Sequence, residues 1–110
     1  MDIEKKYMDR VRLGFHQVVS NGLGYGYMGK YTNASGKTGT SQSFIDTNND
    51  GVVDKETITS SFIGYAPNSK PEMSVVVVSP NIGLPNSSYQ SSVTRRISSK
   101  IVNKYFEIYK

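Results

Sequence analysis

Apolar residues recur every three or four positions at both ends of the chain, and between those ends stand small, hydroxylic and β-branched residues that favour strands over helix. In residues 2–21, Ile3, Tyr7, Val11, Phe15, Val18 and Val19 mark one face of a helix, with Asp2 placed to cap it and Gly22 placed to end it. Val93, Ile97, Ile101, Tyr105 and Ile108 step at the same spacing, which predicts a closing amphipathic helix with that stripe against a sheet. Between the helices, residues 33–44 read as a strand whose backbone something approaches closely, and residues 58–65 as a second strand followed by turn chemistry at Pro67-Asn68-Ser69. The valines at 75–78, bounded by Ser74 and Ser79-Pro80, have the pattern of a third strand covered on both faces and central in its sheet. Short links between consecutive strands favour antiparallel pairing. The expectation is an α+β fold, a three-stranded antiparallel sheet flanked by N- and C-terminal helices.

The bulk properties narrow the function classes. A chain of 110 residues is one domain or part of one. Its formal net charge of +4 raises the question of nucleic acid, but Arg95, Arg96, Lys100 and Lys104 fall together in the last predicted helix and read as a solvated face, so no nucleic-acid partner is expected. Without cysteine there is neither a disulfide framework nor a thiolate metal site. No run approaches the roughly 18 apolar residues of a membrane span, and residues 2–10 are charged, unlike a secretion signal. Gly22, Gly24, Gly26 and Gly29 make a flexible connection, in which Tyr25, Tyr27 and Tyr31 read as packing over the core rather than as a stacking platform. His16, among Phe15, Val18 and Val19, reads as a packed or surface side chain and is given no role.

The stretch Ser35-Gly36-Lys37-Thr38-Gly39-Thr40-Ser41-Gln42 concentrates a cation, hydroxyls and glycine in one strand, a combination suited to a carboxylate-bearing ligand. Thr38 and Thr40 project to one side of a strand, Gly39 removes a Cβ from between them, and Lys37 adds positive potential. A phosphate-binding loop on Gly36-Lys37-Thr38 is rejected by spacing, because the glycine required five positions before Gly36 is Tyr31 and the following residues resist helix. In Asp46-Thr47-Asn48-Asn49-Asp50-Gly51, the oxygens of Asp46, Asn48 and Asp50, with Asp54 in a ninth-position role, partly match a calcium loop. Thr57 stands where a bidentate Glu is wanted and Glu56 is one place early, so a polar hairpin loop is the plainer reading and Ca2+ the only cofactor in view.

Three blocks in order, Ser35-Gly36-Lys37-Thr38-Gly39-Thr40, then Ser61-Phe62-Ile63-Gly64-Tyr65-Ala66-Pro67, then the 75–78 valines with Ser79-Pro80-Asn81, give the chain a resemblance to the penicillin-binding protein family. The likeness is to the C-terminal part of the transpeptidase domain in its membrane-anchored, monofunctional class B, and it spans residues 1–110 nearly end to end. The resemblance implies a substrate-binding set of Lys37, Thr38, Gly39 and Thr40, in which the two threonine hydroxyls bind a carboxylate, the Thr40 N–H serves an oxyanion hole and Lys37 supports the proton network of a nucleophile. It implies D,D-transpeptidation of peptidoglycan stem peptides through an acyl-serine, with β-lactam binding, at the extracytoplasmic face of a bacterial membrane. The family's Ser-x-x-Lys and Ser-x-Asn motifs both lie earlier in its domain, and neither is expected to be served here: Ser98-Ser99-Lys100 has the wrong spacing and Asn33-Ala34-Ser35 runs in reverse. No catalytic residue is therefore expected in this chain, which should be inactive alone. The rest of the transpeptidase domain is its expected partner. In a second reading the chain is an interaction or scaffold module that self-associates by strand addition or by swapping its first helix.

Overall fold

The structure of the chain, a computed structural model, describes residues 2–20, 33–85 and 93–109. Helix α1 (Lys5–Ser20) is followed by strands β1 (Ser35–Ile45), β2 (Lys55–Ala66) and β3 (Met73–Gly83) and by helix α2 (Val93–Tyr109). The strands form one antiparallel sheet in the order β1-β2-β3. Fold class and element order match the sequence expectation, and each strand runs longer than its apolar segment. The glycine-bearing connection with its three tyrosines, Gly22 included, lies outside the described residues.

The central strand is β2, not the valine strand. Its residues Ile58, Ser60, Phe62, Gly64 and Ala66 are all buried on one face, while β3 lies at an edge. Val75 is buried and Val77 partly buried against the same core, but Val76 and Val78 point to the opposite face and are 62% and 56% exposed. An unbroken valine run thus marks strand propensity here, and only alternate members of it are covered.

Helix α2 covers one face of the sheet, while α1 contributes Val19 to that same core and sets Phe15 against the other face near β1. Ser60, Phe62 and Ala66 meet α2, where the Ser60 and Thr94 hydroxyls are 3.2 Å apart and Val102 and Phe106 close the core. Lys37, Ile63 and Tyr65 point the other way and line a cavity of about 210 Å3 with Phe15 of α1. Helix α2 turns a different stripe inward from the one the periodicity suggested. Thr94, Arg95, Ser98, Ser99, Val102 and Phe106 are buried, whereas Ile97, Ile101 and Ile108 are exposed. The reason is steric and polar: serine and threonine let the helix approach the sheet closely, with Ser98 Oγ bonded to the Thr94 carbonyl at 2.7 Å. The basic face is likewise reduced, since Arg95 is buried and Arg96, Lys100 and Lys104 are exposed.

Helix α1 packs only through its last turns. Val19 is buried, Phe15 and Val18 are half-buried, and Ile3, Tyr7 and Val11 are largely exposed. The Glu4 carbonyl receives the N–H groups of Tyr7 and Met8 at 3.1 and 3.3 Å, so the helix is initiated at Glu4 rather than capped by Asp2.

A glycine pair sets the distance between β1 and the core. Gly36 faces Gly64 across the β1–β2 ladder, and the Phe62 ring lies over both. A Cβ on Gly36 would run into Phe62 Cζ and lie 3.0 Å from the Ile63 carbonyl. Glycine is needed here for room rather than for backbone freedom.

Candidate functional site

Residues 36–40 are extended and belong to β1, which pairs with β2 along one side and leaves its other side as the outer edge of the described sheet. Lys37, Thr38, Gly39 and Thr40 lie opposite Ile63, Phe62, Ser61 and Ser60. The two-residue repeat places Thr38 and Thr40 on the α2 face and Lys37 and Gly39 on the α1 face. Because α2 packs on β2 and β3, the threonines stand beside its footprint, with Thr38 half-buried and Thr40 exposed. Neither side chain is enclosed in the core.

The sequence reading grouped the ammonium with the hydroxyls at one pocket. The pleat separates them by face, and the strand's edge is what they share. Lys37 Nζ bends back to donate to the Thr38 carbonyl at 2.8 Å, which places that carbonyl on the side away from β2. Backbone groups of residues i and i+2 point the same way along a strand, so the Thr40 N–H also faces the outer edge. An extended ligand lying along β1 would meet the Thr38 carbonyl, the Thr40 N–H and the Lys37 ammonium in one row. Gly39 is constrained from inside as well: a Cβ there would lie 2.5 Å from Ser61 Oγ.

Three contacts that no local sequence signal announces hold the start of this strand. His16 Nδ1 lies 2.8 Å from the Ala34 carbonyl, Ser35 Oγ donates to Asn68 Oδ1 at 2.6 Å, and Asn68 N–H donates to the Asn33 carbonyl at 2.5 Å. The partners are far apart in sequence, which hides them from motif reading. His16 therefore bonds the chain just before β1.

The acidic loop between β1 and β2 is closed by its own hydrogen bonds. Asp46 accepts the backbone N–H groups of Asn48, Asn49, Asp50 and Gly51, and Asp54 accepts the N–H and hydroxyl of Thr47. Asn49 and Gly51 adopt positive φ of 62° and 85°, as a tight polar hairpin requires. Desolvation would raise the Asp46 pKa, but the N–H donors of Gly51, Asp50, Asn49 and Asn48 outweigh it and hold the carboxyl below its ordinary value. A depressed carboxyl contributes its stabilisation above the ordinary carboxylate range and loses it as pH falls below, so the loop's bonds are intact at neutral pH. The side-chain oxygens of Asn48 and Asp50 also accept loop N–H groups, from Asp50 and Val52. Among the described residues no group of three or more His, Cys, Asp or Glu side chains is gathered as a metal site would require.

Ser79-Pro80-Asn81 has the letters of a Ser-x-Asn motif but follows Lys37 and does a structural job. The β2–β3 register shifts between Ile58 and Ser60, and Asn81, at φ 53°, fills the irregularity. Its side chain accepts the Thr57 hydroxyl at 2.6 Å, and its N–H donates to the Thr59 hydroxyl at 3.2 Å.

Comparison with known proteins bears on the family of the chain. Residues 1–103 match the family described as the penicillin binding protein transpeptidase domain. Penicillin-binding protein 2A of Bacillus subtilis (strain 168) is 31% identical over 109 residues, an alignment that takes in 98% of this chain and 15% of that relative. The chain thus spans a small part of the length of the curated relative it matches.

Proposed function

The chain belongs to the penicillin-binding protein transpeptidase family, and on that premise we propose that it is the C-terminal portion, residues 1–110, of the transpeptidase domain of a class B enzyme that cross-links peptidoglycan stem peptides through an acyl-serine. The observation that carries this reading is the outer edge of β1, where Lys37 Nζ, the Thr38 carbonyl and the Thr40 N–H lie in one row beside two accessible threonines. In the proposed mechanism a stem peptide or a β-lactam lies along this edge, pairing with it as an added strand. The Thr38 and Thr40 hydroxyls donate to its carboxylate. The Thr40 N–H donates to the oxygen that becomes negative when the carbonyl is attacked. The Lys37 ammonium, freed from the Thr38 carbonyl, stabilises the proton network around the nucleophile. Nucleophile and base come from the rest of the domain, at the extracytoplasmic face of the cell membrane; among the described residues of this chain no helix is long and apolar enough to cross a membrane.

Recognition of the carboxylate is tested by Thr38→Val in the full-length parent. A hydrogen bond to a charged group contributes roughly 1.5–3 kcal/mol, so the β-lactam concentration that half-saturates acylation is expected to rise at least tenfold. An unchanged concentration dependence would remove Thr38 from the binding set.

The face opposite α2 supports a second proposal, the self-association of the chain when it is alone. Ile63, Val76 and Val78 are each more than half exposed and adjacent across β2 and β3, beside two sheet edges without a partner strand among the described residues. In the parent the rest of the domain covers this face. Sedimentation of the isolated chain should give a species heavier than the 12.2 kDa monomer; a monodisperse monomer at high concentration rules this out.

A further inference from the structure

We infer that Ser35, Asn68 and His16 form an anchor that fixes the height and register of β1 for the reacting stretch 36–40, acting as positioning residues on the strand rather than on a ligand. The inference deepens the reading of β1 given above and rests on it.

An edge strand needs such an anchor more than an inner one does. Beyond Gly36 every residue of β1 is exposed or half-buried, and residues 36–41 carry no apolar side chain that could tie them to the core. What remains is the ladder to β2 on one side and the buried start of the strand. Ser35 is fully buried, so its hydroxyl must bond inside the protein, and Asn68 Oδ1 receives it. The same residue donates its backbone N–H to Asn33, so the turn after β2 holds the first residue of β1 and the chain two residues before it. From the other side His16 reaches the intervening residue through the Ala34 carbonyl. The three bonds thus come from α1 and from the β2–β3 turn, and they converge on residues 33–35. Ser35 and Lys37 project to the same face, so a tilt of the strand about Ser35 carries the ammonium with it.

Reaction rates are sensitive to such a tilt. A misplacement of about 1 Å can cost up to ~100-fold even when the altered residue is far from the chemistry.

The test uses the full-length parent, with the rate of covalent labelling by a fluorescent penicillin followed over a range of concentrations and the melting temperature measured for each variant. Ser35→Ala and Asn68→Leu remove the buried bond, whereas Asn68→Asp keeps an acceptor oxygen in place. The expected result is a roughly tenfold slower maximal acylation for the two removing variants, with little change in the half-saturating concentration. Asn68→Asp should restore most of the rate, and His16→Leu should slow acylation in the same way, with His16→Asn, whose amide N–H can replace Nδ1 as donor to the Ala34 carbonyl, recovering it. A structural role alone would lower the melting temperature of the removing variants and leave acylation at 25 °C unaltered, and that outcome overturns the inference. Equal slowing by Asn68→Asp and Asn68→Leu overturns it too. Should Ser35→Ala fail to fold, the pair at half-exposed Asn68 carries the same comparison. Lys37→Ala is measured alongside: normal acylation by it means that β1 is not the reacting strand, whereas its loss together with normal rates in the anchor variants removes the anchor only.

Discussion

A fluorescent penicillin is expected to label the full-length parent, to leave the isolated 110-residue chain dark, and to label a Lys37→Ala parent ~100- to 10,000-fold more slowly, the span that a positioned proton-transfer group contributes. The first two outcomes follow from the proposal that the nucleophile lies outside this chain. Nucleophile, base and oxyanion donor must converge on one carbonyl, and on the proposed reading one strand of one wall supplies only the last. The third follows from the position of Lys37. Its ammonium is exposed and, among the described residues, bonded only to the carbonyl of its own neighbour, an interaction that a ligand or a facing wall can displace at little cost. Replacing it with alanine removes no core contact, so the loss should appear in the rate of labelling and not in the melting temperature. Labelling of the isolated chain would refute the missing-nucleophile argument, and a Lys37→Ala parent that reacts normally would take the ammonium out of the chemistry.

How far the sequence revealed this arrangement depended on the range of the interaction concerned. Strand β1 was legible because its chemistry is local: glycines, hydroxyls and a lysine in a run that resists helix, followed by an Asp/Asn-Gly loop whose Asp46 caps its own backbone. The hairpin and the antiparallel order followed from short links. The helix faces were not legible. Helix α2 carries two stripes at helical spacing, one with Ile97, Ile101 and Ile108 and another with Val102 and Phe106 extended by serines and threonine. Hydrophobicity favours the first, yet the second is buried, because a helix that must sit close over Ser60 needs small residues on its inner face. The valine run misled for a related reason. β-Branched residues favour any strand, and which strand is central depends on what lies across each face. Phe62, nearly alone as a large fully buried side chain of the sheet, organises the core from β2, and the glycines at 36 and 64 make sense only beside it. His16 and Asn68 were unreadable in principle, since each acquires its role from a partner brought close by the whole fold.

The direction of the Thr40 N–H leads to the most discriminating substitution. Proline lacks this donor and is tolerated in a sheet only where the donor would have faced outward from an edge strand. Thr40→Pro should therefore leave the β1–β2 ladder standing, because the bonds to β2 are made by residues 39 and 41 on either side. In the parent its maximal acylation rate should fall ~100- to 1,000-fold below that of Thr40→Val, which loses the same hydroxyl but keeps the N–H, the effect of removing one oxyanion donor. Ser41→Pro is the contrasting change: it deletes an inward N–H, so it should lower the melting temperature markedly. If Thr40→Pro melts like Ser41→Pro, the N–H points toward β2 and the edge row has been assigned with the wrong parity. If Thr40→Pro melts like the wild type and still acylates at the full rate, the parity is right and the oxyanion is held by other groups. Only a stable sheet combined with slow chemistry is compatible with a backbone donor presented from the rim of β1, because stability depends on the inward groups of this strand and reactivity on the outward ones.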